Sequence, residues 1–237
     1  MKRSIIKFIS VIAIIILLVV TLTGCTATKT SSKTTSKNIG QTNNLNDDKL
    51  KENIKIEALG ITKNGDFAFK VKNDNDKTIY ISTVNIIFKD NDGNFVEKAE
   101  SQIQFFIIEA HSEVVNFAWG FEKDYEKYKN YEFEFEFVSD YMKTSLATRN
   151  FEIVANDTSK QIAVSVKNNN ILGMKSLLLL VAYYNDGKIV GCQVGYNDTI
   201  LEANKTAYIN VRYPEDSRGQ KVDYDEYKTY LLQAWIK

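Results

Sequence analysis

The chain has 237 residues, of which 44% are hydrophobic and 25% are charged, so it can bury a core and is not disordered throughout. Thirty basic side chains are balanced by 30 acidic ones, so the formal net charge is zero. Nucleic-acid binding depends on a surplus of lysine and arginine that neutralises phosphates, and this balance therefore argues against a nucleic-acid partner.

The N-terminal segment has the pattern of an export signal. Basic residues precede an apolar run over residues 9–20, and the run is followed by Leu-Thr-Gly-Cys, which ends at Cys25. This tetrapeptide resembles the lipobox of bacterial lipoproteins, in which a diacylglycerol is transferred to the cysteine thiol and a peptidase then cleaves before the cysteine. The resemblance implies a signal peptide over residues 1–24 and an anchor at Cys25 that carries fatty acids such as palmitate. It also implies a location on the outer face of the cytoplasmic membrane.

The same segment has a second interpretation, an uncleaved signal anchor with an incidental cysteine. Residues 5–23 are just long enough to span a bilayer as a helix. Both interpretations place the remainder of the chain outside the cell.

Residues 25–53 are rich in Thr, Ser, Lys and Asn and contain almost no large apolar side chains. Such a composition cannot bury a core, so we predict a disordered tether over this range. A flexible coil of this length has a root-mean-square span of about 30 Å. The tether therefore keeps the folded part close to the membrane.

The rest of the chain contains an internal repeat. The pattern Asp-Tyr-x-x-Tyr-Lys-x-Tyr begins at Asp124 and again at Asp223. Three shorter motifs, Val-Lys-Asn, Asp-Gly and Ile/Leu-Glu-Ala, recur in the same order, starting at Val71 and Val166, at Asp92 and Asp186, and at Ile108 and Leu201. All four offsets lie between 93 and 99 residues, which indicates a duplicated domain rather than a solenoid. We place the copies at residues 54–142 and 151–237 and expect the polar stretch between them to make them separable.

Within each copy the hydrophobic pattern has the period of a β-strand. Aromatic residues alternate with Glu132, Glu134 and Glu136, which predicts a half-buried strand with a solvated glutamate face. The Asp-Gly pairs predict hairpin turns. Residues 177–184 are all apolar, which predicts a strand buried on both faces. With about seven short strands per copy and no long amphipathic helix, we predict an all-β fold of two tandem immunoglobulin-like β-sandwiches.

The motifs also suggest a family. Val-Lys-Asn, a long apolar strand, an aromatic residue near Asp-Gly and an Ile/Leu-Glu-Ala turn resemble the FxLYD-type and related immunoglobulin-like domains of Gram-positive lipoproteins. Members of that family often have Pro-Gly in the turn where this chain has Ala-His-Ser from Ala110 and Ala-Asn-Lys from Ala203. The resemblance implies no catalytic residues and a non-enzymatic extracellular role.

The residue inventory gives no support for an enzyme or a metal site. His111 is the only histidine and falls in a predicted turn, where we expect a solvated side chain. Once Cys25 is acylated, Cys192 has no partner, and its apolar surroundings predict a buried thiol. The run from Asp90 to Gly93 suggests calcium, but an EF-hand alignment puts Phe88 where the first ligand belongs, so we predict a hairpin turn. We expect no catalytic residues, no metal and no cofactor.

The final strand differs between the copies. The tyrosine motif aligns the glutamate row with Leu231, Gln233 and Trp235, so a charged face in the first copy becomes a largely apolar face in the second. Exposed apolar faces mark interfaces, and tryptophan is enriched at their energetic centres. We therefore expect Leu231 and Trp235 to form a contact surface, against the first domain or for an outside partner. In the alternative, residues 213–223 cover this face.

Two functions remain open from the sequence. The first is a membrane-anchored extracellular lipoprotein with a non-catalytic binding role and a protein partner in the cell envelope. The second is a solute-binding accessory of a membrane transporter, which requires a cleft between the domains with converging polar groups.

Overall fold

The computed structural model describes residues 45–120, 125–128, 130–138 and 150–237. The predicted signal peptide, Cys25 and the first part of the predicted tether lie outside these ranges, as does most of the segment between the two copies. Within the described ranges, no helix has both the length and the apolar character needed to span a bilayer.

The first copy is a sandwich of two antiparallel sheets. One sheet has the strand order β1-β2-β6, and the other has β4-β3-β7, with β5 also paired to β3. A 3-10 helix at Tyr125–Lys127 precedes β7. The strands are β1 (Ile54–Ile61), β2 (Phe67–Asn73), β3 (Ile79–Lys89), β4 (Phe95–Glu100), β5 (Phe106–Ile108), β6 (Ser112–Ala118) and β7 (Asn130–Phe137).

The second copy repeats this arrangement with six strands. Its sheets have the orders β12-β9-β8 and β11-β10-β13. An isolated bridge between Met174 and Leu201 stands where the first copy has the pairing of Ile79 with Ile108 in β5. The predicted all-β fold of two tandem immunoglobulin-like sandwiches is confirmed. The strands are β8 (Phe151–Asp157), β9 (Ile162–Asn168), β10 (Met174–Asn185), β11 (Lys188–Asn197), β12 (Thr206–Val211) and β13 (Glu226–Ile236).

Both Asp-Gly pairs lie in hairpin turns, as predicted. The β10–β11 turn consists of Asp186 and Gly187, whose φ values of 50° and 70° give the left-handed geometry that suits two-residue hairpins. In the β3–β4 turn, the carboxylate of Asp90 accepts hydrogen bonds from the backbone amides of Asp92 and Asn94. These side chain–backbone bonds close the turn.

The Val-Lys-Asn motif recurs because its asparagine is the centre of a buried hydrogen-bond network. Asn73 is fully buried, and its amide nitrogen donates to the carbonyl oxygens of Lys77, Ile108 and Glu109 at 2.8, 3.2 and 2.9 Å. Its amide oxygen accepts from the backbone and side-chain amides of Asn75. The network therefore ties the end of β2 to the Ile-Glu-Ala turn.

The second copy contains the same network. Asn168 is also fully buried, and its amide nitrogen donates to the carbonyl oxygens of Leu172, Leu201 and Glu202. Its amide oxygen accepts from both amides of Asn170. Two of the repeated motifs are thus the two halves of one hydrogen-bonded unit, which explains why they recur together.

The tyrosine motif recurs because it supplies aromatic packing to the central strand. The ring of Tyr125 stacks on Phe88 in β3, with centroids 4.8 Å apart. The ring of Tyr224 meets Tyr183 in β10 edge to face, with centroids 4.9 Å apart. Such ring pairs add to the stability gained from burial alone.

The predicted tether ends earlier than residue 53. Residues Leu45–Glu52 form helix α1. Leu50 packs against the core of the first sandwich, and its carbonyl oxygen accepts a hydrogen bond from the side-chain amide of Asn75. Lys51 lies 5.9 Å from the centre of the Phe137 ring. These tertiary contacts stabilise a polar segment that composition alone assigns to the tether.

The two sandwiches share a hydrophobic core. The core of the first copy includes buried residues from β10, β11 and β13 of the second, namely Leu180, Ala182, Tyr184, Ile189, Cys192 and Leu232. The sheet β11-β10-β13 is therefore covered on both faces, on one by its own sandwich and on the other by the first copy. The copies are joined by this packing, in contrast to the separable domains expected from the sequence.

Candidate interaction surface between the two copies

The junction is formed by the β1-β2-β6 sheet of the first copy and the β11-β10-β13 sheet of the second. Along β2 and β6 the register puts Ala68, Val115 and Phe117 on the face opposite the first sandwich's own interior. All three side chains are buried. The continuous apolar run of residues 177–184 follows from this arrangement, because a strand covered on both faces needs apolar residues at every position.

Hydrogen bonds connect the two copies at two positions along the junction. Near the hairpin ends of the sandwiches, the backbone amide of Lys63 donates to the carbonyl oxygen of Val190 at 3.0 Å. Further along, the side-chain amide of Gln233 donates to the carbonyl oxygen of Gln104.

The two residues of the predicted contact surface, Leu231 and Trp235, lie in different environments. The indole of Trp235 lies edge to face with Phe105 of the first copy, with ring centroids 6.4 Å apart. Lys175 lies 6.0 Å from the centre of the same indole. Leu231, in contrast, packs against the core of its own sandwich. Trp235 thus faces the first domain, one of the arrangements expected for it.

A β-bulge causes this separation. The register of β13 against β10 shifts between Leu178 and Leu179. Leu178 pairs with Gln233 and Leu179 pairs with Leu231, so Leu232 between them is the extra residue. An extra residue reverses the side-chain alternation, so Leu231 turns inward while Leu232 faces the first copy. The strict alternation expected for residues 230–236 is therefore interrupted.

The glutamate row of the first copy lies on the equivalent face of its own sheet. There Glu132 pairs with Lys89 at 2.7 Å, and Glu136 is exposed. In the second copy, that face packs on the first. This difference in environment accounts for the change from glutamates to apolar residues.

Beside the junction is a groove of about 440 Å³. It opens between β8 and β13, which are edge strands of the two sheets of the second sandwich. The first copy contributes one wall with Glu109, Ser112 and Glu113. The remaining lining residues are Ile107, Val114, Asn150, Phe151, Ile153, Thr229, Tyr230, Leu231, Gln233 and Ala234.

The groove combines apolar and polar groups. The hydroxyl of Thr229 is buried and has no hydrogen-bond partner in the described part of the chain. On the rim, Glu113 lies 3.5 Å from the ammonium of Lys70. A strand edge offers backbone donors and acceptors to an extended chain, and the apolar lining residues offer burial to its side chains. The groove thus offers both hydrogen-bonding groups and apolar surface.

The remaining predicted residues lie away from the groove or within the core. His111 is in an exposed turn, where its Nε2 atom is 2.9 Å from a carboxylate oxygen of Asp76. Cys192 is buried as predicted, and burial raises the pKa of its thiol. It lies in the junction between the copies rather than inside its own sandwich. The described residues contain no group of three or more side chains suited to hold a metal ion.

The turns after the Ile/Leu-Glu-Ala motifs have a backbone geometry that favours glycine. His111 and Asn204 have φ values of 53° and 60°, in the left-handed region. Histidine and asparagine are among the residues that enter this region most readily without being glycine.

Sequence reasoning did not identify the groove residues Glu113, Ile153, Thr229 and Tyr230. They come from three strands far apart in the chain and share no local motif. The one available signal was the loss of the glutamate row in the last strand, which indicated a covered face.

No protein family matches the chain, and no curated protein matches it. Among solved structures, the chain is similar to red sea bream transglutaminase, with 8% identity, a TM-score of 0.24 and coverage of 76% of this chain. The chain spans 28% of the length of that enzyme. It is also similar to a chain from a chaperone–tip adhesin complex of CFA/I fimbriae, with 12% identity, a TM-score of 0.25 and coverage of 76% of this chain and 98% of that one. Similarities this weak carry no information about function.

Proposed function

We propose that the protein is a lipid-anchored, non-catalytic interaction protein on the outer face of the cytoplasmic membrane, which binds an envelope protein in the groove beside the junction of its two sandwiches. The observation that carries this proposal is a groove bordered by β8 and β13, each of which has one edge that pairs with no other strand in the described part of the chain. A partner segment in extended conformation satisfies such edges with backbone hydrogen bonds.

The chemistry of the groove supports a peptide-like partner. The buried hydroxyl of Thr229 gains a hydrogen bond when a polar backbone group enters, and Phe151 and Ile153 of β8 cover apolar side chains. The exposed carboxylate of Glu113 at the rim favours a segment that carries lysine or arginine.

A photo-crosslinker in living cells tests the proposed partner site. The crosslinking amino acid replaces Glu113 at the rim, and a matched variant carries it in place of Tyr208, which is 81% exposed on β12. We expect one defined protein adduct from position 113 and none from position 208. Adducts of equal yield from both positions, or none from position 113, would reject the groove as the binding site.

The anchor needs a separate test, because Cys25 lies outside the described residues. A fatty-acid analogue should label the wild-type chain and not the Cys25→Ser variant. Equal labelling of the two would reject the lipoprotein assignment and leave the groove proposal unaffected.

The groove also gives specific support to the second function, a solute receptor that serves a transporter. It is a cleft lined by residues of both copies, and polar side chains such as Glu113 and Thr229 belong to its lining. Native mass spectrometry of the purified protein distinguishes the two functions. A bound small molecule that is lost with Thr229→Val favours the receptor, whereas a mass equal to that of the chain and its acyl groups favours the interaction protein.

A further inference from the structure

Equivalent loops in the two copies have one backbone arrangement and different side chains. In each copy a buried asparagine, Asn73 or Asn168, donates to the carbonyl oxygen four residues later, at 2.8 Å in both copies. The two residues at the end of this bend are Asp-Lys at positions 76 and 77 in the first copy and Ile-Leu at positions 171 and 172 in the second. Since polar residues form the same bend, the bend itself does not require apolar ones.

The apolar residues of the second loop are exposed. Ile171 is 92% exposed and Leu172 is 50% exposed, and Ile200 at the same end of the sandwich is 51% exposed. Ile200 directly precedes Leu201. The side-chain amide of Asn168 donates to the carbonyl oxygens of both Leu172 and Leu201. We call these three residues the apolar tip. Exposed aliphatic side chains in a loop give up the free energy of burial unless something covers them.

The apolar tip lies at the end of the molecule where the N-terminal segment enters. Helix α1 contacts the first copy at the loop that contains Asn75, the counterpart of the tip loop. The corresponding ends of the copies are adjacent, because the groove brings Ser112 of the first copy close to Asn150 and Phe151 of the second. The opposite ends are joined by the bond from Lys63 to Val190.

We propose that the apolar tip inserts into the outer surface of the lipid bilayer in which Cys25 is anchored. This inference rests on the proposed lipid anchor. Nineteen residues lie between Cys25 and the start of α1, so the chain from Cys25 to Leu45 extends at most about 70 Å. Because the anchor holds the tip at high effective concentration near the surface, even weak insertion is populated.

Insertion at this tip depends on apolar burial more than on charge. The exposed charged side chains around the tip have both signs. The basic ones include Lys175, Lys205 and Lys237, and the acidic ones include Asp198 and Glu202. Lys237 is already paired with Glu202 at 3.0 Å. We therefore expect the contact to persist at high salt, unlike the binding of a basic patch to anionic lipid.

A fluorescent label on the full-length lipidated protein tests the inference. Ile171→Cys receives an environment-sensitive dye, and Ser217→Cys, an exposed position in the loop after β12, serves as the control. Cys192 does not compete for the dye because it is buried, and Cys25 does not compete because the proposed anchor blocks its thiol. The proteins are reconstituted in vesicles of phosphatidylethanolamine and phosphatidylglycerol that contain a lipid with a nitroxide on its acyl chain.

We expect a blue shift and nitroxide quenching for the label at position 171, and neither for the label at position 217. A label at position 200 should lose its quenching when the second loop receives the residues of the first, in the double variant I171D and L172K. Equal signals at positions 171 and 217 in vesicles that carry the protein would overturn the inference alone. Protein that does not float with the vesicles would overturn the anchor and the inference together. Burial of the label only at high protein density would assign the tip to contact between copies of the chain and overturn the inference.

Discussion

Leu180 provides a test of the junction between the copies, because its environment differs completely between docked and separated sandwiches. Its side chain is fully buried in the core shared with the first copy, next to Val194 and Tyr230. Truncation of a buried leucine to alanine costs about 2–5 kcal/mol of unfolding free energy. If the sandwiches did not dock, the same side chain would lie on an exposed face, and its truncation would cost about 0.5 kcal/mol or less. We therefore expect Leu180→Ala to destabilise the protein by about 2–5 kcal/mol.

Urea unfolding followed by tryptophan fluorescence measures this loss. Each copy contains one tryptophan, Trp119 in the first and Trp235 in the second, so the signal reports on both. The matched control is Leu172→Ala, since Leu172 is half exposed and its truncation in solution should cost about 0.5 kcal/mol or less. A loss below about 1 kcal/mol for Leu180→Ala, or two separate transitions in the wild type, would refute the shared core.

Three further predictions follow from single sites. Asn168→Ala should lower the free energy of unfolding by about 3–5 kcal/mol in a denaturation experiment, because it leaves several buried carbonyl and amide groups unpaired. A loss near zero would show that water replaces the network. Hydrogen bonds from Lys55 and Lys72 lower the pKa of Asp74 to about 2 from its ordinary 3.8. The contribution of Asp74 to stability is therefore present above about pH 4 and is lost as the pH falls through 2. The urea midpoints of the wild type and Asp74→Asn should converge over that interval, and a constant difference between them would contradict this. Millimolar calcium should leave the melting temperature unchanged, because the turn amides already bind the carboxylate of Asp90; a rise reversed by chelator would show a metal site.

The fold was predictable because its signals are local. Alternation over residues 131–137, the Asp-Gly turns and the apolar run of residues 177–184 each follow from the chemistry of one strand or turn. The repeat extended the prediction to both copies. It also marked Asn73 and Asn168, whose networks need the same residues at the same spacing.

The relation between the copies was not predictable in the same way. The apolar character of Trp235 indicated a covered face, but the sequence does not specify which surface covers it. The bulge at Leu232 also reverses the side-chain alternation within one strand, and such an insertion leaves no mark in the hydrophobic pattern. Likewise, α1 depends on its contact with the first core, since its composition favours disorder.

The reactivity of Cys192 tests the docking of the two sandwiches most directly. Cys192 is 5% exposed and lies opposite Ala182, on the face of the second copy that packs against the first. In a variant with Cys25→Ser, it is the one remaining thiol, and its modification by a chromogenic disulfide can be followed over a series of urea concentrations below the unfolding midpoint. If the copies are docked as described, the thiol should react only as fast as global unfolding exposes it, so that the opening free energy equals the unfolding free energy. Rapid modification in buffer alone, with the β-sheet circular dichroism unchanged, would show that the sandwiches separate while folded and would contradict the shared core.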